Sequence, residues 1–223
     1  NLVWKGFTLD NWKNPCGAPE VCEALGNSIK IGLLATIFST ILGTMIAFAI
    51  GRYAFKGRSS SNLLIFLPMA TPEIVLGASL LSLFLVFHIN PGFWPTVIAH
   101  VMFCISFVVV TVKARIASLD PRLEQAAMDL YANELETFRK VTLPLVAPGI
   151  AGAALLAFSL SFDDFIITNF NSGTLKTFPE FVYTSAARGI PAQANVIGSA
   201  MFFLALIIVI AGQFVGKKVK VAK

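Results

Sequence analysis

Charge is scarce in this sequence. Of its 223 residues, 13% are charged and 56% are hydrophobic, and the mean hydropathy is +0.77. Because soluble domains carry about 25% charged residues, this composition excludes an ordinary soluble domain. The two histidines, His88 and His100, are too isolated in the sequence to suggest a metal site. The sequence also lacks a Ser/His/Asp or Cys/His set and a Gly-rich loop ending in Gly-Lys-Ser/Thr, which argues against catalysis or nucleotide hydrolysis by this chain.

Long apolar blocks contain most of the hydrophobic residues. Ile31–Ile50 and Val196–Val215 carry no formal charge, and a helix of about 20 residues crosses roughly 30 Å of hydrocarbon. Three other blocks have the same character with one or two polar interruptions. The pattern predicts an all-α integral membrane protein with five spans, at about residues 28–50, 63–87, 96–114, 145–170 and 196–216.

Basic residues are divided unequally between the two sides that alternating spans create. Twelve lie on one side: Arg52, Lys56, Arg58, Lys113, Arg115, Arg122, Arg139, Lys140, Lys217, Lys218, Lys220 and Lys223. Five lie on the other: Lys5, Lys13, Lys30, Lys176 and Arg188. The positive-inside rule makes the richer side cytoplasmic. The net charge of +5 therefore reflects membrane topology, and no nucleic-acid partner is expected.

This orientation places residues 1–25 outside the membrane and the basic tail, residues 218–223, in the cytoplasm. Residues 1–25 have no apolar stretch that could carry them across, which predicts a sixth span upstream of the sequence. Cys16 and Cys22 fall in the external segment, where a disulfide between them can persist. Two free thiols are the alternative.

Two prolines interrupt the second apolar block. Pro68 and Pro72 each remove a backbone donor and clash with the preceding turn, which predicts a kinked or broken helix. Glu73 follows at once and would occupy the first turn of a new half-helix, where the helix dipole favours a carboxylate. The alternative is that Glu73 lies at the cytoplasmic interface and is solvated.

Two adjacent acids lie about twenty residues into the helix that begins near Leu145. An aspartate at a membrane helix centre costs about 2.5–3.5 kcal/mol, so Asp163 and Asp164 should face water, a partner or a cargo. Neighbouring helical residues point about 100° apart, which predicts that one lines a path while the other meets a neighbouring helix. A membrane interior with acids and no obvious basic partner suits a cationic passenger. The alternative places both aspartates at the outer interface.

The longest polar interruption, residues 118–144, lies on the cytoplasmic side. Asp120-Pro121 predicts a helix start, and Asn133 with Glu136 three residues later predicts a capping box at a second helix. The segment therefore reads as a short helix, a turn and an ascending helix. Its two amphipathic faces need a partner to cover them.

Residues 124–144, EQAAMDLYANELETFRKVTLP, resemble the cytoplasmic signature loop of ABC importer permeases, Glu-Ala-Ala, three residues, Gly, nine residues, Ile-x-Leu-Pro. The resemblance implies a MetI-like ABC permease fold and a coupling helix that docks in a groove of an ATPase subunit. The residues that it assigns to ATPase coupling are Glu124, Gln125, Ala126, Ala127, Asp129, Leu130 and Tyr131. Gln125 departs from the family glutamate, although Glu124 stands beside it. Tyr131 departs from the family glycine, so the turn must differ or Tyr131 must make a compensating contact with the ATPase.

The segment SLSFDDFIITNF resembles the second permease subunit of spermidine/putrescine importers, in which Ser-Phe-Asp-Asp recurs in this span. This resemblance implies a polyamine path that contains Glu73, Asp163 and Asp164. The implied partners are a second homologous permease, two ATP-binding subunits that hold ATP and Mg, and an external binding protein, in the bacterial inner membrane. The chain itself is then a non-catalytic transport subunit without a cofactor or metal.

Three other functions stay open at this point. A permease for another solute, such as a sugar, iron or thiamine, would not require three membrane carboxylates. A secondary transporter in which Asp163 and Asp164 relay protons would work without an ATPase and stop with an uncoupler. A structural membrane subunit would cause no uptake defect when deleted.

Overall fold

A computed structural model describes residues 8–187 and 189–221 of the chain. Residues 1–7 of the predicted external segment, Arg188 of the external basic residues and residues 222–223 of the basic tail lie outside this range. Within it the chain is all-helical. Its helices are α1 (Asp10–Lys13), α2 (Val21–Arg52), α3 (Arg58–Ala70), α4 (Glu73–Val86), α5 (Phe93–Ala117), α6 (Arg122–Asp129), α7 (Glu134–Thr137), a π-helical turn (Phe138–Thr142), α8 (Leu143–Asp163), α9 (Ile166–Asn171), α10 (Phe178–Ala186) and α11 (Ala192–Val221).

The core is formed by α2, α5 and α8, which pack against one another. Small side chains allow the close approach: a Cβ atom on Gly43 of α2 would lie 2.7 Å from Val108 of α5. Ala153 and Ala157 of α8 are fully buried in the same core. Val21–Arg52, Phe93–Ala117 and Glu134–Asp163 are each long and apolar enough to cross a membrane.

The predicted break is confirmed at Pro72, whereas Pro68 lies inside α3. Helix α3 ends at Ala70, Thr71 is extended, and α4 begins at Glu73 after a bend of 106°. Glu73 lies in the first turn of the new helix, as expected. Together α3 and α4 are apolar enough to count as a fourth, broken span, and the fifth predicted span falls in α11. The chain is a multi-pass membrane protein.

The span predicted over residues 145–170 is shorter than expected as a continuous helix. Helix α8 ends at Asp163 because Asp164 is extended, with φ −65° and ψ 126°, and α9 starts two residues later. The carboxylate of Asp164 accepts hydrogen bonds from the first free backbone N–H groups of α9, which favours a new helix start over continuation.

On the side predicted to be external, the start of α2 is fastened to the segment before α10. Cys16 and Cys22 form a disulfide with their Cα atoms 5.3 Å apart. Lys176 Nζ contacts Glu20 Oε2 at 2.7 Å, and the Asn27 side chain donates to the Lys176 carbonyl at 3.0 Å. These contacts fix where α2 enters the core.

Candidate functional site

Three carboxylates from two separate parts of the sequence line one cavity of about 330 Å³. Its lining residues are Glu73, Phe103, Ser159, Leu160, Asp163, Asp164, Phe165 and Ile166. No basic residue is among the described side chains of this lining. A cavity of this size cannot reach both membrane surfaces. The alternative that places Glu73 at the cytoplasmic interface and the alternative that places both aspartates at the outer interface therefore cannot both be true.

Helix ends supply the acids of this cavity. Helix α4 begins at Glu73, whose carboxylate offsets the partial positive charge of the helix N-terminus. Helix α8 ends at Asp163, where the free carbonyl groups of the last turn carry partial negative charge. The backbone of α8 and the side chain of Asp163 therefore favour the same kind of ligand, a cation.

The two aspartates face different surroundings. Asp163 is exposed at the cavity, whereas Asp164 is buried. The Asp164 carboxylate accepts hydrogen bonds from the backbone N–H groups of Thr168 at 2.9 Å and Ile167 at 3.4 Å. Asp163 is consequently the freer of the two to meet a ligand, while Asp164 holds the start of α9.

A buried histidine, which sequence reasoning did not include, joins three helices beside Asp164. His100 of α5 is 1% exposed; its Nδ1 lies 2.6 Å from Ser161 Oγ of α8, and its Nε2 lies 2.9 Å from Thr168 Oγ1 of α9. The same Nε2 is 3.5 Å from an Asp164 carboxylate oxygen. The sequence signal was a histidine alone in an apolar span; its partners are far away in sequence and only packing brings them together.

One proton arrangement satisfies this network. Ser161 donates to Nδ1 of His100, Nε2–H donates to Thr168 Oγ1, and the Thr168 hydroxyl donates to Asp164 at 3.2 Å. With these donors, both ring nitrogen atoms of His100 have a hydrogen-bond partner. It fixes the geometry of the helix break that leaves Asp163 at the cavity.

Close packing of α4 on α9 places Glu73 on the same side as Asp163. Gly77, one turn after Glu73, lies against α9, where an added Cβ atom would be 3.3 Å from the Cα atom of Ile167. Asn171 of α9 donates to the Gly77 carbonyl at 3.3 Å. Because residues four apart share a helix face, Glu73 points towards the α9 side of α4.

The loop over residues 118–144, predicted to be cytoplasmic, has the expected helix, turn and helix. The capping box is confirmed: Asn133 Oδ1 accepts from the Glu136 N–H at 2.9 Å, and Glu136 accepts from the Asn133 N–H at 3.3 Å. The Asn133 N–H and the Lys140 ammonium lower the pKa of Glu136 below its usual value. The second helix continues through the π-helical turn into α8.

Tyr131 occupies a glycine-type position. Its φ is +64°, in the left-handed region. The Tyr131 N–H donates to the Met128 carbonyl at 3.0 Å, and the Ala132 N–H donates to the Ala127 carbonyl at 3.1 Å. These two bonds define a Schellman motif with Tyr131 at the position that glycine usually takes. The tyrosine is therefore accommodated in a turn of the kind that glycine usually closes, and its side chain is 99% exposed.

The other residues assigned to ATPase coupling divide into two groups. Gln125, Ala126, Asp129 and Leu130 are exposed, and Leu130 is 81% exposed. Ala127 is half-buried. Glu124 points inwards, where Arg52 and Thr142 of the same chain engage its carboxylate. The exposed group forms an apolar and polar surface on α6 that no described residue covers.

Comparison with known proteins identifies relatives over nearly the whole chain. Residues 31–220 match the family described as "Binding-protein-dependent transport system inner membrane component". The chain is 34% identical over 218 residues to the spermidine/putrescine transport system permease protein PotC of Haemophilus influenzae, covering 97% of this chain and 85% of that protein. It is also 34% identical over 206 residues to the putrescine transport system permease protein PotI of Escherichia coli, covering 88% and 73%.

Solved structures share the fold. A chain of a bacterial ABC transporter involved in the import of the acidic polysaccharide alginate superposes with a TM-score of 0.73 at 15% identity, covering 96% of this chain and 85% of that one. A chain of the MetNI methionine ABC transporter, in inward-facing conformations, gives a TM-score of 0.67 at 16% identity, covering 89% and 97%. The fold is therefore that of MetI-like ABC permeases.

Proposed function

Because the chain belongs to the binding-protein-dependent transport system inner membrane components, we propose that it conducts polyamines such as spermidine and putrescine into the cell as the permease subunit of an ATP-driven importer. Relatives at 34% identity are named for spermidine and putrescine transport. The observation that carries the substrate class is the single cavity shared by Glu73, Asp163 and Asp164.

Electrostatics favours a polycation at this cavity. An ionised carboxylate inside a membrane protein is costly unless a partner or water stabilises it. Three acids with no basic residue in the described lining create a negative potential that a polyamine's ammonium groups offset. The apolar members of the lining, such as Phe103 and Leu160, suit the methylene chains between those groups.

The chain is a non-enzymatic subunit whose transport is driven by partners. We infer five membrane passages, a second homologous permease, two ATP-binding subunits that carry ATP and Mg, and an external binding protein, in a bacterial inner membrane. Substrate would enter from the external protein and leave to the cytoplasm by alternating access. The likeness to ABC importer permeases supports this assembly.

We assign ATPase docking to the exposed part of α6 and its turn. Leu130 and Tyr131 project from the end of α6, and Gln125, Ala126 and Asp129 lie on its exposed surface. An exposed aromatic side chain such as that of Tyr131 is of the kind that anchors protein interfaces, and exposed apolar surface of the kind that Leu130 adds marks interaction sites. Ala127 supports the turn through its carbonyl group.

Uptake by the complete complex in proteoliposomes tests the substrate assignment. Asp163→Asn removes one charge from the cavity and should raise the half-saturating spermidine concentration about ten- to a hundredfold, since a charged hydrogen bond contributes about 1.5–3 kcal/mol. Asp10→Asn, which changes an exposed acid of α1, is the matched control and should leave uptake unchanged.

Labelled spermidine, putrescine and a neutral sugar should be compared in the same vesicles. Sugar uptake without polyamine uptake would overturn the substrate class. Uptake that persists without ATPase subunits and collapses with an uncoupler would identify a secondary transporter, and no uptake of any solute would indicate a structural subunit.

Disruption of the docking surface should change ATPase binding or the coupling of hydrolysis to uptake. Leu130→Asp should release the ATPase subunits or uncouple hydrolysis from uptake, because it places a charge in an apolar contact. Leu9→Asp, an exposed leucine at the other end of the molecule, should do neither. Unchanged coupling in Leu130→Asp would contradict the assigned docking surface.

A further inference from the structure

Glu124 of α6 is turned away from the exposed surface of the cytoplasmic loop. Its carboxylate forms a two-pronged ion pair with Arg52, the last residue of α2, with Nη1 2.6 Å from Oε2 and Nη2 against Oε1. The Thr142 hydroxyl donates to Oε1 of the same group. Both charged side chains are half-buried, with 27% of Arg52 and 22% of Glu124 exposed. Glu124 therefore joins the loop to two membrane helices.

This arrangement restrains orientation as well as distance. A planar guanidinium that donates two parallel hydrogen bonds to a carboxylate fixes the relative rotation of the two side chains. A lysine at Arg52 would supply one point contact and lose that restraint. The Thr142 contact adds a second direction, since Thr142 is buried at the end of the π-helical turn. Movement of α6 is thus passed to α2 and to the base of α8 together.

The connection to α8 leads directly to the carboxylate cavity. The π-helical turn Phe138–Thr142 runs into α8 without interruption, and Phe138 also packs edge-on against Phe48 of α2 at 5.2 Å. Helix α8 has 21 residues, so a helix rise of 1.5 Å per residue carries a displacement about 30 Å to Asp163. π-helical turns are frequent at functional positions, where the backbone ladder is interrupted.

We propose that Glu124 is a positioning residue that transmits movement of the cytoplasmic loop to α2 and α8, and that it does not contact the ATPase itself. The proposal rests on the proposed function, because it assumes that α6 is moved by an ATP-binding partner. It divides the loop into an exposed surface that receives the partner and an inward carboxylate that passes the movement on.

A charge-swap experiment on the complete complex in proteoliposomes tests this role. The readouts are spermidine molecules transported per ATP hydrolysed and the amount of ATPase subunit that copurifies. Glu124→Arg should lower transport per ATP about tenfold, within the range of coupling energies between contacting residues, while the ATPase subunits stay bound. The double variant Glu124→Arg/Arg52→Glu should recover most of the loss, because it restores an ion pair of opposite polarity.

A matched swap of an exposed pair controls for the change of charge. Asp10→Lys/Lys13→Asp exchanges an ion pair whose side chains are 74% and 78% exposed, on the other side of the molecule, and should leave transport per ATP unchanged. If Glu124→Arg does not assemble, Glu124→Gln decides the question. It keeps the side-chain shape, removes the charge, and should lower transport per ATP without loss of bound ATPase.

Three results would overturn the proposal. These are wild-type transport per ATP in the Glu124 variants, no recovery in the double variant, and release of the ATPase subunits by Glu124→Gln. The last result would make Glu124 a docking residue like Leu130. Failure of the proposed function is distinguishable, because the wild-type complex itself would then show no ATP-driven spermidine uptake.

Discussion

Tyr131 adopts a left-handed backbone conformation that is free of strain for glycine and costly for tyrosine, and its ring is almost fully exposed. Two separate effects therefore depend on one residue. The backbone is strained by the Cβ atom, and the ring is available to an ATPase partner. Replacing Tyr131 by glycine removes both at once, so the two effects are expected to change different measurements in opposite directions.

The structure sets the size of each effect. A left-handed conformation costs an L-residue about 1–2 kcal/mol, while glycine gives back about 0.4–1 kcal/mol through the greater freedom of the unfolded chain. Tyr131→Gly should therefore stabilise the turn by about 0.5–1 kcal/mol, a two- to fivefold reduction in opening. Loss of an aromatic anchor costs an interface about 2 kcal/mol, or roughly thirtyfold in affinity.

Hydrogen exchange and ATPase binding measure the two effects separately. The amides of Tyr131 and Ala132 close the Schellman motif, so their exchange in the permease without ATPase reports opening of the turn. Tyr131→Gly should slow exchange and weaken ATPase binding. Tyr131→Ala keeps the strain and removes the ring, and Tyr131→Asn removes the ring while tolerating the left-handed conformation.

The three Tyr131 variants can contradict both the strain argument and the assignment of the ring as an anchor. If Tyr131→Gly exchanges as fast as the wild type, the strain argument is wrong. If all three variants bind the ATPase subunits as tightly as the wild type, the ring is not an anchor. Faster exchange in Tyr131→Asn than in Tyr131→Ala would also contradict the reasoning, because it reverses the order of tolerance for positive φ.

Two further substitutions test the cavity and the core. His100→Phe keeps a ring but removes both nitrogen atoms, and should raise the half-saturating polyamine concentration about tenfold in assembled complexes. Cys104→Ser, one turn along α5, is the control and should leave that concentration unchanged. Gly43→Ala places a Cβ atom 2.7 Å from Val108, and should lower the melting temperature of the purified complex by a cost of about 1–3 kcal/mol. Gly152→Ala, where an added Cβ atom meets nothing within 4 Å, should leave the melting temperature unchanged.

Local chemistry made several features predictable from the sequence. The helix break at Pro72 and the position of Glu73 follow from the missing proline donor and from the preference of carboxylates for helix N-termini. The capping box at Asn133 follows from a four-residue pattern. In each case the residues that decide the structure are neighbours in the sequence.

The break after Asp163 was not predictable in the same way. The apolar pattern continues through residues 165–170, so hydropathy alone predicts one helix to residue 170. The structure ends α8 at Asp163 because the Asp164 carboxylate is held by α9 and lies beside His100, which is sixty-four positions earlier. The contact of Asp164 with the N–H groups of α9 is local, whereas the position of His100 depends on packing between helices, which a single sequence does not encode locally.

For Glu124, too, the sequence motif and the packed structure give different information. Its place beside the family glutamate position suggested an acidic docking residue. The structure instead directs it to Arg52, because adjacent residues on a helix point about 100° apart. The motif therefore locates the loop, while only the packed structure separates its outward residues from its inward ones.

Helix α8 connects the two functional regions, and the acids at the cavity belong to different structural units. Asp163 ends α8, whereas Glu73 starts α4, which is fastened to α9 through Asn171. Because Asp163 and Glu73 lie on different helices, a displacement of α8 relative to α4 changes the separation of these two carboxylates. If the proposed function holds, a polycation held by both acids would be bound more tightly in one arrangement than in the other. A carboxylate pair on one rigid helix would bind equally in both arrangements, and could not release its cargo in response to movement of the loop.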